Sequence, residues 1–159
     1  MKNSFVFIFC CFLLGTSANA ESINIKSKDI SLDKNTQTSI FENDVLITTE
    51  DNIKIKSDYA SYDREKKFIL LKGNITVIDN KKNIIEANQA TYDDNSQIFE
   101  SVGRTLVVTS NGYRLTGENI IFDNNKNIIS SNKDSLLEDN KNNIYLENFE
   151  YLINQNIFK

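Results

Sequence analysis

The chain has 159 residues, 18 of them basic and 22 acidic, for a formal net charge of −4. An acidic chain without a basic stripe is a poor nucleic-acid binder, since that affinity comes mainly from lysine and arginine on phosphate. With no histidine and only two cysteines, His-based metal sites and Ser-His or Cys-His catalysis are also excluded.

The first predicted element is a leader. Lys2 precedes an unbroken apolar run from Phe5 to Leu14, and Ala18-Asn19-Ala20 forms a small-x-small cleavage site. This is the layout of a secretory signal peptide over residues 1–20, with 21–159 left as one domain. The run is too short to span a bilayer comfortably, and a retained anchor is the alternative reading. Cys10 and Cys11 lie inside the run, behind bulky Phe9, a poor setting for lipidation. They would leave with the leader, so the exported chain needs no disulfide. Loss of Lys2 makes the remainder slightly more acidic, at −5.

Beyond the leader the chain repeats every thirty residues. Asp33, Asp63, Asp93 and Asp123 mark the period. Before them stand Leu32, Tyr62, Tyr92 and Phe122, and two places further back Ile30, Ala60, Ala90 and Ile120. Small residues follow upstream at Ser27, Ser57, Ala87 and Gly117, then Ile25, Ile55, Ile85 and Leu115. The second half of each unit aligns Val45-Leu46-Ile47 with Ile75-Thr76-Val77, Thr105-Leu106-Val107 and Ser135-Leu136-Leu137. A fifth copy is read with one residue inserted, placing Tyr151, Ile153 and Asn154 in the series.

Within each unit the apolar period is two. Ile53, Ile55 and Ser57 alternate with Lys54, Lys56 and Asp58, the mark of a half-buried strand. The phase then slips by one, to Ala60 and Tyr62. A β-bulge there would return both halves to one face and turn Tyr59 outward. Turns fall at Asp33-Lys34-Asn35, Glu50-Asp51-Asn52, Asp79-Asn80-Lys81, Asp93-Asp94-Asn95 and Asp123-Asn124-Asn125, with Asn111-Gly112 the clearest hairpin signal. Each unit is strand, turn, strand, turn. The whole predicts an all-β meander of about nine antiparallel strands.

The repeated aspartates could form a calcium ladder, but the glycine-rich run that such ladders need is missing; turn-capping is the simpler role. Turn residues at regular spacing form a row and do not converge as paired carboxylates must. No phosphate loop is present, so the chain reads as a binding protein, not an enzyme, with no cofactor. The stripe Leu32, Tyr62, Tyr92, Phe122, Ile153 is either a packed core or the lining of a groove wide enough for an acyl chain. Four and a fraction units do not suggest closure into a barrel, and open edges invite strand addition by a partner.

The segments Ile85 to Asp93 (IEANQATYD) and Leu71 to Val77 (LKGNITV) resemble the OstA-like domain of the lipopolysaccharide-transport proteins. That domain occurs as the periplasmic bridge protein LptA and as the N-terminal part of the outer-membrane assembly protein LptD. The resemblance implies an open, twisted β-jellyroll whose apolar inner face holds lipopolysaccharide acyl chains in transit across the periplasm. It also implies edge-to-edge stacking with other such domains, of which a head-to-tail homo-oligomer is one form. Carried onto this chain, the groove would be lined by Ile25, Ile30, Leu32, Val45, Ile47, Ile55, Ala60, Tyr62, Ile75, Val77, Ile85, Ala87, Ala90, Tyr92, Leu115, Ile120 and Phe122.

Two departures stand out. Thr105 and the stretch Lys133-Asp134-Ser135 put polar residues where the pattern is apolar. The last repeat is also cut short at Ile157-Phe158-Lys159, as a truncated C-terminal edge would be. The motifs fit the bridge protein and a fragment of the assembly protein about equally. The anchored relative LptC would require the leader to be kept. A structural β-repeat protein with a dry core is the reading that involves no ligand.

Overall fold

A computed structural model describes residues 23–33, 35–139 and 142–159; the predicted leader lies outside them. All regular structure among the described residues is strand. β1 (Ile23–Lys26) and β2 (Asp29–Asp33) lead into four long strands, β3 (Thr38–Thr49), β4 (Lys54–Asp63), β5 (Phe68–Ile78) and β6 (Ile84–Asp93). Shorter segments follow: β7 (Ile98–Val102), β8 (Arg104–Val108), β9 (Arg114–Glu118), β10 (Ile121–Asp123) and β11 (Ile128–Ser131). The last are β12 (Ser135–Glu138), β13 (Asn143–Leu146), β14 (Phe149–Leu152) and β15 (Ile157–Phe158). β7 and β8 pair with successive stretches of β6, so they are one strand broken in the middle. Joining such pairs gives nine long strands and a stub, β15. The meander predicted from the repeats is what forms.

Every pairing is antiparallel, and both ends of the sheet stay open. β1 and β2 pair only with β3, β13 only with β12, and β15 only with β14. The expected open jellyroll is therefore the fold.

The expected bulge forms at the level of the phase slip, but its extra residue lies on the neighbouring strands β3 and β5 and not on β4 at Ser57 to Ala60. In β3, Asn43 and Asp44 both have positive φ (62° and 57°), and in β5 Gly73 and Asn74 do the same (75° and 45°). Glycine tolerates this left-handed region freely, and Asn and Asp enter it more readily than other residues. The register jumps there, from Glu42 opposite Tyr59 to Val45 opposite Ser57, and from Lys72 opposite Gln89 to Ile75 opposite Ala87. Two residues on one strand oppose one on its neighbour, which is a bulge. Neighbouring side chains brace it: Asn43 Nδ2 donates to Asp29 Oδ2, and Asn74 Nδ2 to Asp58 Oδ2, both at 2.7 Å. Tyr59 points outward as expected. It is half-buried there, with the Lys72 ammonium 5.6 Å from its ring centroid.

Folding along this bulged spine divides the sheet into two half-sheets. The first holds β1, β8, β9, β12, β13 and the adjoining ends of β3 to β6. The second holds β2, β7, β10, β11, β14, β15 and the other ends of β3 to β6. Their inner faces share one hydrophobic core. Contacts cross between their rims: Asn124 Nδ2 donates to Asp51 Oδ2 at 2.8 Å, and the rings of Tyr113 and Phe158 meet edge-on at 5.6 Å.

One sequence expectation needs correcting. The fifth copy is one residue shorter than the others, not longer. Tyr151 pairs with Ile129, which pairs with Phe122, so Tyr151 continues the stripe and Ile153 does not. Leu152 occupies the place of the repeated aspartate. Ile153 is buried all the same, at the following turn.

Candidate functional site

The inner face consists of two cross-strand rows. In the second half-sheet, pairing runs Leu32, Ser39, Tyr62, Ile69, Tyr92, Phe99, Phe122, Ile129, Tyr151, Phe158 without a break. In the first it runs Ile25, Ile47, Ile55, Val77, Ile85, Val107, Leu115, Leu137, Ile144. Both rows are apolar from end to end, apart from Ser39. Opposed residues in such rows lie close enough to pack directly, so each row is a continuous ridge.

All the residues predicted to line a groove stand on this inner face, but their exposure differs. Val45, Ile47, Ile55, Ala60, Ile75, Val77, Ile85, Ala87, Ala90, Tyr92, Leu115, Ile120 and Phe122 are buried. Ile25 and Tyr62 are half-buried against the same core. Ile30 and Leu32 are 66% and 62% exposed. The middle of the molecule is thus a packed core, and open apolar surface lies at its ends. Phe41, Ile53, Ile69, Leu71, Phe99, Val107, Ile129, Phe149 and Tyr151 are buried on the same face and were not in the predicted set. Phe68-Ile69, Ile98-Phe99 and Ile128-Ile129 carry the repeat signal that could have found three of them.

The ends are open because the half-sheets are offset. The turn holding Asp51 faces Tyr92 and Asn124, and Asp79 and Thr109 face Tyr151. The first two hairpins of the second half-sheet therefore have little opposite them. This leaves a recess of about 660 Å³ lined by Ile30, Leu32, Gln37, Ser39, Arg64 and Glu65. At the far end the overhang belongs to the first half-sheet, where Ile144 is 49% exposed. There the second half-sheet is stoppered: Phe158 packs on Tyr113, Phe149 and Tyr151 at centroid distances of 5.6, 6.3 and 4.7 Å.

The polar departures have a structural role. Thr105 is buried and donates to Ser101 Oγ at 2.7 Å; Ser101 Oγ accepts from the Ile120 amide at 2.8 Å. Ser131 Oγ donates to the Glu118 carbonyl at 2.7 Å and Ser135 Oγ to that of Lys133 at 3.0 Å. These hydroxyls satisfy one another and the broken backbone at the spine, as buried polar groups must.

The repeated aspartates cap turns. Their Oδ1 atoms accept from the amides of Asn35, Lys66, Asn95 and Lys126 at 2.9, 3.1, 2.9 and 2.9 Å. Bonding holds Asp33 below the usual carboxylate range through the Asn35 amide, and Asp63 through Lys66. At Asp123 partial burial pushes upward, and the Lys126 bonds outweigh it. Burial, with the charges of Asp94, Asp51 and Asp93, pushes the Tyr92 phenol well up. Burial likewise raises Tyr151, against a hydrogen bond with Thr109. Among the described residues no cluster of three or more metal-ligating groups occurs, and no helix is long and apolar enough to cross a membrane.

A bent antiparallel sheet, apolar inside along its whole width and open at both ends, defines the class: an OstA-like β-jellyroll domain. The structure of LptH from Pseudomonas aeruginosa, described as the LptA-homologous periplasmic component of the lipopolysaccharide transport device, shares this fold. It aligns with a TM-score of 0.55 at 15% identity over 64% of this chain and 75% of that one. A family model described as "Lipopolysaccharide-assembly, LptC-related" matches residues 17–130. The chain belongs to that LptC-related family. The family match and the shared LptH fold both bear out the OstA-like resemblance. No curated protein matches the chain.

Proposed function

We propose that this protein is a periplasmic lipopolysaccharide-transport module that shelters acyl chains between its half-sheets. One observation carries the reading: both inner rows are apolar across the whole sheet and reach both of its open ends. Each buried methylene of an acyl chain contributes about 0.8 kcal/mol, so a few carbons on the exposed Ile30 and Leu32 suffice to begin entry. The leader predicted over residues 1–20 supports a periplasmic location, where a lipid needs shelter from water.

Stacking follows from the same rows. β13 of one domain added to β1 of the next would continue Leu137–Ile144 into Ile25–Ile47, and β15 added to β2 would continue Phe158 into Leu32. Partner domains of the same class, or a second copy, fit such a junction by strand addition.

A photo-crosslinking residue at Tyr62 or Tyr92 should capture lipopolysaccharide, and one at outward Lys54 or Lys56 should not. Capture only from the outward positions would refute the reading. The near-complete burial of the central residues favours a second reading, a structural repeat protein with a dry core. It predicts no capture at any of these sites.

A further inference from the structure

The stripe on the inner face of the second half-sheet passes from open to closed along its length. Leu32 is 62% exposed, Tyr62 is half-buried, and Tyr92 and Phe122 are 2% and 3% exposed. These four residues occupy one column of the repeat, so their own position in the unit does not set the difference. What changes is the rim that faces them. The turn at 49–53 faces Tyr92, and Asp51 Oδ2 accepts from Asn124 Nδ2 at 2.8 Å across the mouth between the half-sheets.

Each end of this bond is held by its own half-sheet. Asn124 Nδ2 also donates to Gln97 Oε1 at 2.9 Å, and the Asn124 amide donates to the Gln97 carbonyl at 3.2 Å. In the facing turn the Asn52 amide donates to the Thr49 carbonyl at 3.0 Å, and the Ile53 amide to Thr49 Oγ1 at 3.2 Å. Neither turn can follow the other without breaking bonds inside its own half-sheet. Parting the half-sheets at this point therefore breaks the bond between them. The spine resists parting, because β3 to β6 run through it as continuous strands. The rim is where this fold opens, and the spine is where it hinges.

Farther from Leu32 the rim contacts are rings: Tyr113 meets Phe158 at 5.6 Å between centroids, and Phe158 packs on Tyr151 at 4.7 Å. The Asp51–Asn124 bond lies on the Leu32 side of them, where the exposed recess gives way to the buried core. It is solvent-exposed, so water takes over both partners when it breaks, and breaking it costs far less than in a dry interior.

We propose that the Asp51–Asn124 bond is a latch on the lipid path. An acyl chain seated on Ile30 and Leu32 reaches Tyr92 and Phe122 only when this bond parts and the half-sheets swing open about the bulged spine. The inference rests on the lipid-carrying reading above and adds a point of control to it. With the latch closed the central stripe is a packed core; with it open the same stripe lines a groove.

The test uses the full chain carrying C10S/C11S, with lipopolysaccharide as the probe. A photo-crosslinking residue replaces Leu32, outside the latch, or Phe122, behind it. In the variant D51C/N124C, kept reduced until use, a short bismaleimide joins the two rims. Bridging should leave capture from position 32 unchanged and lower capture from position 122 about tenfold or more. The variant D51A/N124A should do the reverse. It should speed capture from position 122 by about tenfold, the change in an equilibrium constant set by one hydrogen bond to a charged group, and keep the wild-type circular dichroism spectrum. Undiminished capture from position 122 in the bridged protein would overturn the latch. So would a bridge that blocks both positions alike, or an alanine variant no faster than the wild type. Capture from neither position in the unbridged protein would overturn the lipid-carrying reading, and the latch with it.

Discussion

The N-terminal and C-terminal parts of this sheet solve the same bend differently. β3 to β6 run unbroken through the spine, and left-handed Asn43-Asp44 and Gly73-Asn74 carry the extra residues. From β7 onward each strand is split, and the gap is closed by hydroxyls of Ser101, Thr105, Ser131 and Ser135. One row shows the contrast directly. Leu71, Ala90 and Ser101 are consecutive partners on the inner face, so the same place is filled by a large aliphatic group in β5 and by a hydrogen-bonding hub in β7. At Leu71 and Ala90 the inner face is held by burial, which an acyl chain can share. The hydroxyl half is held by directional bonds, which it cannot.

Truncation in that row should separate the two regimes most strongly. Leu71→Ala removes a fully buried side chain and should cost about 2–5 kcal/mol in urea denaturation. Ser101→Ala leaves the Ile120 amide without its partner and the Thr105 hydroxyl with only the Gly103 carbonyl, and should cost about 1–3 kcal/mol. Equal costs, or a larger one at Ser101, would remove the distinction. The spine glycines give a smaller contrast. A Cβ on Gly103 meets open space, so Gly103→Ala should show only the left-handed penalty of about 1 kcal/mol. A Cβ on Gly73 runs into the Asp58 carboxylate that anchors Asn74, and Gly73→Ala should cost roughly 2–3 kcal/mol.

The capping aspartates give the smallest effect. The folded-state pKa values of Asp33, Asp63 and Asp123 are lowered, so at these groups the folded state binds fewer protons than the unfolded chain as pH drops through about 4. Their contribution is present above that range and fades as pH falls through the folded values. Asp123 is more enclosed than Asp63, its side chain 13% exposed against 25%. Enclosure raises the Asp123 carboxyl against its Lys126 bonds, whereas at Asp63 the Lys66 bonds come first, so Asp63→Asn should flatten the acid limb of a stability-against-pH curve more than Asp123→Asn does.

Much of this fold was legible in the sequence because the repeat samples each column several times. The thirty-residue period, the alternation and the phase slip at Ser57 led to nine strands, a bulge and an outward Tyr59. The fifth copy was misread because its aspartate column holds Leu152 and its stripe holds Tyr151, so aligning on the Ile153-Asn154 pair shifted the register. A slip of one residue moves every side chain to the other face, and only pairing partners show which register holds. The exposure of Ile30 and Leu32 was not legible for another reason. Their local pattern matches that of Ala60 and Tyr62, and what differs is the offset of the opposite half-sheet, a property of the whole. Thr105 and Ser135 read as weak points of a groove; the partners that make them structural lie on other strands.

The central claim is that the apolar face opens to lipid at its N-terminal end. The chain has no tryptophan, so one placed at Leu32 is a unique reporter. Titrating Leu32→Trp with lipopolysaccharide should give a saturable blue shift of its emission, while Tyr145→Trp, on the outer face and 81% exposed in the native residue, should stay unchanged. No shift at position 32, or an equal shift at both positions, would contradict the account.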